Sequence, residues 1–168
     1  MATPSARGVV FIHSAPKALC PHLEWAVGRS IGRAVNFDWQ NQPALPGARR
    51  AEFSWDGPAG TGAAIATAIR GWEHLRFEVT EDPTPGSTGG RWMHTPDLGI
   101  HFSQIDAAGS IVVGEERVRA AIALADPFEM RRELDVALGT AWDDELEIFR
   151  TAGDAIASPV VWLQHRAG

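Results

Sequence analysis

The sequence has 168 residues, of which 45% are hydrophobic and 21% charged, so it excludes a disordered chain and fits a single ordinary domain. A net charge of −6, with Lys17 as the only lysine, argues against nucleic acid as a partner, because phosphate binding needs clustered cations. A single cysteine excludes an internal disulfide, and no apolar run reaches the length of a signal peptide or a membrane span, so we expect a cytoplasmic protein without a membrane partner.

The first 80 residues have the periodicity of a β-α-β-β-α-β unit. Apolar residues alternate with polar ones in the predicted strands and recur at helical spacing in the predicted helices. The predicted elements are a strand at 8–13, a helix from Pro21 to Gly32, strands at 34–40 and 51–55, a helix carrying Ile65 and Ile69, and a strand at 75–80. This order predicts an α+β fold whose ferredoxin-like half, residues 1–82, has four antiparallel strands with two helices on one face.

The remaining part, residues 83–168, is predicted to form a β-hairpin and helices that pack on the first half within one structural domain. A loop rich in proline and glycine, residues 82–90, leads into it. The predicted elements are short strands at 92–93, 98–102 and 111–113, a helix with Val118 and Ile122, a helix from Asp126 to Gly139, a helix from Trp142 to near Gly153, and an edge strand at 160–163.

The segment after the first strand gathers His13, Ser14, Cys20 and His22 near a helix start. Free backbone N–H groups at such a start attract anions, and a cysteine there can become a thiolate nucleophile with histidine as its base. The alternatives are packing of buried side chains, an anion or ligand site, and a metal site. The metal site is disfavoured because Cys20 and His22 are two residues apart on a helix and no second cysteine exists. We predict no metal and no cofactor.

A second face of the same helix is polar and aromatic. His22, Trp25 and Arg29 lie at positions i, i+3 and i+7, beside the apolar stripe of Leu23 and Val27. A helix that only packs into a core does not need such a face. We therefore predict that it contacts a partner protein, a second copy of the chain or a bound anion.

Two histidines flank a predicted turn in the second half of the chain. His94 and His101 lie on either side of Asp97, which we expect to cap the turn. A histidine and a carboxylate can form an acid–base pair or part of a metal site, but a pair without a third ligand is weak evidence for either.

A glycine-rich turn resembles part of a nucleotide-binding motif. Gly60 and Gly62 are followed about twenty residues later by Glu81, the spacing of a dinucleotide fingerprint. Ile65 replaces the third glycine of that fingerprint, so an ordinary flexible turn is favoured.

Two surfaces are expected to meet other parts of the chain or a partner. Trp142, Leu146 and Phe149 form an apolar helical stripe bordered by acidic residues, which faces the core or docks on a partner. The polar side of the predicted sheet includes Arg76 and Glu78. Because the first strand is apolar on both sides, the second half of the chain or a second copy should cover that polar side.

Five segments resemble a known family. They are residues 13–26, Gly71-Trp72, residues 75–80, residues 95–100 and residues 142–147. With them the sequence resembles an actinobacterial family catalogued as a domain of unknown function. The resemblance implies an actinobacterial cytosolic protein and a link to fatty-acid synthesis genes, and it transfers no catalytic residue.

The sequence therefore favours a non-catalytic accessory or protein-interaction module, with a link to lipid metabolism implied by the resemblance. The supporting features are the seven tryptophans, the acidic helix, and the lack of a nucleophile, a base and oxyanion donors that converge. The expected partner is a protein or a second copy of the chain. The alternative is a small ligand-binding domain or enzyme that uses the region from His13 to His22.

Overall fold

The computed structural model describes residues 5–157, which contain seven strands and five α-helices. The strands are β1 Ser5–Pro16, β2 Gln40–Asn41, β3 Ala48–Pro58, β4 Arg76–Glu81, β5 Gly89–Thr95, β6 Gly99–Ile105 and β7 Ile111–Val112. The helices are α1 Cys20–Ile31, α2 Thr61–Ile69, α3 Glu115–Ile122, α4 Pro127–Leu138 and α5 Thr140–Ala157, and a 3-10 turn at Lys17–Leu19 joins β1 to α1.

All seven strands belong to one antiparallel sheet in the order β2-β3-β1-β4-β5-β6-β7. The predicted mixture of helices and antiparallel strands is confirmed. The ferredoxin-like topology is not confirmed, because the order of this seven-stranded sheet differs from that of a four-stranded ferredoxin-like sheet. The extra strands follow from the hairpins at 82–88 and 96–98, which continue the sheet beyond β4.

The first strand lies in the interior of the sheet, between β3 and β4, as its two-sided apolar pattern predicted. Its residues Val10 and Ile12 are buried in the main core with the apolar sides of α1 and α2. The main core holds Val27, Trp55 and Phe77 together, with Trp39 and Phe53 partly buried against them.

The predicted strand at 34–40 is wrong except at its last residue. The segment keeps its alternation, with Val35 and Phe37 buried, but it does not pair with the sheet before Gln40. The backbone N–H of Phe37 and the indole N–H of Trp39 instead donate to the Glu24 carboxylate of α1, each at 2.9 Å. A side chain thus replaces the neighbouring strand as the acceptor for this backbone.

The ends of α1 and α4 agree with the sequence signals. Pro21 lies in the first turn of α1, and Gly32 ends this helix with a φ of 76°. The Asp126 side chain accepts a hydrogen bond from the Phe128 backbone N–H at the start of α4, and Gly139 ends α4 in the left-handed conformation.

Helix α5 is longer than predicted. It continues through Gly153 to Ala157, since a single glycine weakens a helix without ending it. The edge strand predicted at 160–163 lies outside the described residues. Among residues 5–157, no helix combines the length and the apolar character that crossing a bilayer requires.

Candidate functional site

The region from His13 to His22 does not form a single site, because its members lie on opposite sides of the sheet. Side chains of successive strand residues point to opposite faces. Ile12 faces the core under α1, whereas the His13 ring meets Glu78 on the other face. His22 lies on α1 and is exposed.

Glu78 is the centre of a buried ion-pair network beneath α5. Only 5% of this residue is exposed, and its carboxylate accepts hydrogen bonds from three side chains. His13 Nε2 lies 2.6 Å away, Arg91 Nη2 of β5 lies 2.6 Å away, and Arg150 of α5 donates from Nε at 2.8 Å and from Nη2 at 2.7 Å. Asp143 of α5 bridges both arginines at 2.9 Å. The network therefore fastens α5 to β1, β4 and β5.

Opposing effects act on the pKa of Glu78, and attraction outweighs burial. Burial by itself raises the pKa, but the hydrogen bonds from His13 and Arg150 and the positive charge of Arg91 hold it well below its ordinary value of 4.5. Burial lowers the pKa of the Arg150 guanidinium, whereas its contacts with Glu78 and Asp143 raise it further, so the net pKa is above its usual range. Both groups are therefore held in their charged forms.

A second set of contacts joins the same helix to the sheet. Arg76 of β4 donates to Glu145 of α5 at 3.3 Å, and its guanidinium lies 4.5 Å from the centre of the Phe149 ring. The buried hydroxyl of Ser14 accepts from Arg76 at 3.4 Å. The second half of the chain thus covers the polar side of the sheet. The sequence allowed two covers for this side, the second half of the chain or a second copy, and the structure shows the first.

The structure does not supply the conditions for a nucleophilic cysteine at Cys20. The side chain is buried, and its thiol lies 3.8 Å from the carbonyl oxygen of Pro16. Burial raises the pKa of the Cys20 thiol, which is the opposite of the change that a thiolate nucleophile needs.

The predicted second face of α1 is exposed. Trp25 has 63% of its surface accessible, and the Arg29 guanidinium lies over its ring at 4.9 Å. Trp25 lines two mainly apolar clefts. The smaller cleft, of about 390 Å³, runs past Gly28, Arg29 and Val35. The larger cleft, of about 690 Å³, is bounded by Leu19, Trp25 and Trp72.

Trp72 and His74 also line the larger cleft. The sequence did not indicate either residue as a candidate for binding. They belong to the connection between α2 and β4, with Trp72 packed against the core and His74 exposed at the rim. His74 is the only non-glycine among the described residues with a positive φ, at 62°. A strained backbone at a cleft rim is a feature that often accompanies binding. We name the surface formed by His22, Trp25, Arg29, Trp72 and His74 the Trp25 face.

The histidine pair of the second half is separated by the sheet. His94 stacks on Phe77 in the core at 5.1 Å and contacts the Leu75 carbonyl at 2.8 Å. His101 points to the opposite face, where its Nε2 lies 2.8 Å from Ser103 Oγ and burial lowers its pKa.

The turn between these two histidines is capped by a different residue from the one predicted. Thr95 Oγ1 accepts from the Leu98 N–H at 3.1 Å, whereas Asp97 is exposed. The expectation that Asp97 caps this turn is therefore wrong, because the threonine hydroxyl already accepts the N–H that a cap would bind.

Trp142 faces the sheet. Its indole N–H donates to the Gly99 carbonyl at 2.9 Å, and its ring lies 4.7 Å from that of His101. Leu146 and Phe149 of the same stripe are buried. The stripe therefore packs α5 on the sheet.

The glycine-rich turn before α2 does not present free donors to a phosphate. The buried carboxylate of Glu81 accepts from the backbone N–H of Gly60 at 2.8 Å and of Gly62 at 2.7 Å. Glu81 thus occupies the place at the helix start that a phosphate takes in nucleotide-binding proteins.

No three His, Cys, Asp or Glu side chains converge as a metal site within the described residues. We expect purified protein to contain less than stoichiometric zinc. A chelator should leave the melting temperature unchanged, because the ion pairs and the core hold the fold together without a metal. A fall in melting temperature with a chelator that zinc reverses would contradict this expectation.

Over residues 5–157, the fold and these surfaces define a seven-stranded antiparallel sheet, in which a buried ion-pair network fixes α5 and an exposed tryptophan projects from α1. The chain belongs to the family described as protein of unknown function (DUF3145), whose model matches residues 9–165. The comparisons with curated proteins and with solved structures gave no match.

Proposed function

We propose that this protein is a protein-interaction module that binds its partner through the Trp25 face. The observation that carries the proposal is the exposure of Trp25 beside two apolar clefts. Tryptophan and arginine are the residues that most often dominate binding energy at protein interfaces, and here they are stacked on each other. The cation–π contact holds the indole in place before binding, so little side-chain freedom is lost when a partner arrives.

The alternative proposal, a ligand-binding domain or enzyme that uses the region from His13 to His22, has less support. His13 is engaged with Glu78, Ser14 with Arg76, and the Cys20 thiol is buried. These contacts serve the packing of α5 and the start of α1, and His13 is buried whereas His22 is exposed.

Several broader descriptions are part of the same proposal. We take residues 1–82 as a ferredoxin-like unit, which is supported within its described residues by the antiparallel order β2-β3-β1-β4 with α1 and α2 packed together. We take both halves as one structural domain, which is supported by the continuous sheet. The acidic net charge and the single cysteine support a cytoplasmic protein that does not bind nucleic acid.

Replacing Trp25 with Ala should weaken partner binding about 30-fold and leave the fold intact. Loss of an interface tryptophan weakens binding by 2 kcal/mol or more, which is roughly 30-fold in Kd. Because most of the indole is in solvent, we expect the melting temperature to change little. The measurement is recovery of bound proteins from the native source, followed by the Kd of each recovered protein in purified form.

Phe128→Ala is the matched control, because Phe128 of α4 is 84% exposed and lies outside the Trp25 face. The partner should be lost with the Trp25→Ala bait and retained with the Phe128→Ala bait. If no protein requires Trp25, or if Trp25→Ala unfolds the chain, the Trp25 face is not the binding surface.

A further inference from the structure

We propose that the partner presents an acidic amphipathic segment, with an apolar side chain in the larger cleft of the Trp25 face and carboxylates over the basic residues around it. This inference rests on the proposed function and names the chemistry of the partner. It is carried by the cations that border the two clefts, Lys17 beside the larger cleft and Arg70 in a third, adjoining cleft, which add positive charge to a balanced cleft lining.

The charged residues near the Trp25 face are not balanced. They are the cations Lys17, Arg29, Arg33 and Arg70 and the carboxylates of Glu24, Asp56 and Glu73. Lys17 is placed by its neighbours Pro16 and Ala18, which line the larger cleft. Arg70 lies with Trp72 and His74 along a third, adjoining cleft of about 340 Å³.

Two of the three carboxylates are already engaged by the chain itself. Asp56 accepts from Arg33 at 3.0 Å. Glu24 accepts from the Phe37 and Trp39 N–H groups on the inner side of α1. A partner therefore meets three cations that have no carboxylate contact, Lys17, Arg29 and Arg70, against the carboxylates of Glu24 and Glu73, so a smaller positive excess remains.

None of these three cations has a carboxylate within 4.0 Å among the described residues. This positive face lies on a chain whose net charge is −6. Opposite potentials across an interface speed association and exclude wrong partners, so this face selects an acidic segment over a basic one.

The apolar part of the segment is determined by the larger cleft. This cleft is lined by Leu19, Trp25 and Trp72, among other residues. A cleft of about 690 Å³ has room for one or two large side chains of a helix or an extended peptide. Arg29 is placed to receive a carboxylate next to such an anchor, because its guanidinium already lies over the Trp25 ring.

The test uses the full chain as bait for a random dodecapeptide library displayed on phage. Enriched peptides should carry more acidic than basic residues and one or two aromatic or aliphatic anchors. A synthetic peptide from the enriched set is then titrated by fluorescence anisotropy. We expect about 30-fold weaker binding to Trp25→Ala and about 10-fold weaker binding to Arg29→Glu, and the affinity should fall as salt is added.

Arg131→Glu is the matched charge reversal, because Arg131 lies on α4 with its side chain 83% exposed. It should bind the peptide as the unchanged chain does. Enriched peptides that need Trp25 but carry no acidic excess, or that bind Arg29→Glu equally well, overturn the acidic segment and leave the proposed function standing. Failure to enrich any peptide that needs Trp25 overturns both. Concentration-dependent dimerisation that Trp25→Ala abolishes would show a second copy on this face and also overturn the acidic segment.

Discussion

Replacing Glu78 with Gln should destabilise the protein by about 3 kcal/mol, because breaking a buried ion pair from one side leaves the partner charges uncompensated. The substitution keeps the size of the side chain but removes the charge shared by Arg91 and Arg150. We place the cost at the lower end of the usual range because the side chains of these arginines are 20% and 23% exposed and can turn partly towards water. Urea denaturation followed by circular dichroism measures the change.

Glu147→Gln is the control for the same helix. Glu147 contacts Arg150 at 3.3 Å, but its side chain is 61% exposed, so its removal should cost less than about 1 kcal/mol. Equal denaturation midpoints for the two variants would show that the Glu78 network does not hold α5 to the sheet.

Glu78→Gln should also differ from the unchanged protein in how its stability depends on pH. The pKa of Glu78 in the folded protein is depressed, so its stabilisation is fully present above the ordinary value of 4.5 and is lost as the pH falls below it. The unchanged protein should therefore lose more stability between about pH 5 and pH 3 than Glu78→Gln does, and the two stability curves should converge. Parallel curves would show that Glu78 titrates normally.

Replacing Phe77 with Ala should cost about 3–5 kcal/mol, through lost transfer energy and the cavity that remains. Phe77 is fully buried, lies on the central part of the sheet and stacks on His94 at 5.1 Å. We expect a large shift of the denaturation midpoint in urea, or failure to accumulate folded protein.

Phe128→Ala again provides the control, since it removes the same atoms from a ring that is 84% exposed. Its free energy of unfolding should differ from that of the unchanged protein by less than about 0.5 kcal/mol. A cost for Phe77→Ala as small as that of Phe128→Ala would mean that the register of β4 places Phe77 outside the core.

Much of the local structure could be predicted from the sequence because it depends on residues that are neighbours in the chain. Gly32 and Gly139 end helices where only a left-handed backbone continues the chain, and Asp126 caps a helix by accepting a backbone N–H. The prediction of a strand at 34–40 was wrong because strand pairing depends on more than the neighbouring residues. Its alternation was correct, but alternation reports which side is apolar and does not report which group accepts the backbone hydrogen bonds.

The candidate site residues also divide into those that local spacing predicted correctly and those that only the tertiary structure brings together or separates. Helical spacing alone placed His22, Trp25 and Arg29 on one face of α1. Trp72 and His74 were missed because they join that face from the connection between α2 and β4, far along the chain. His94 and His101 were grouped by short separation in sequence, but the sheet puts them on opposite faces.

By itself the sequence determined most of the strands, the ends of α1 and α4 and the exposed side of α1, since each follows from local periodicity and backbone preference. Only the tertiary structure decided the role of Glu78, which the alternating pattern places on a polar strand face. Its partners His13, Arg91 and Arg150 lie 65, 13 and 72 residues away in sequence. A charge becomes a buried structural centre only when distant elements remove it from water and supply opposite charges, and this happens here when α5 packs on the sheet.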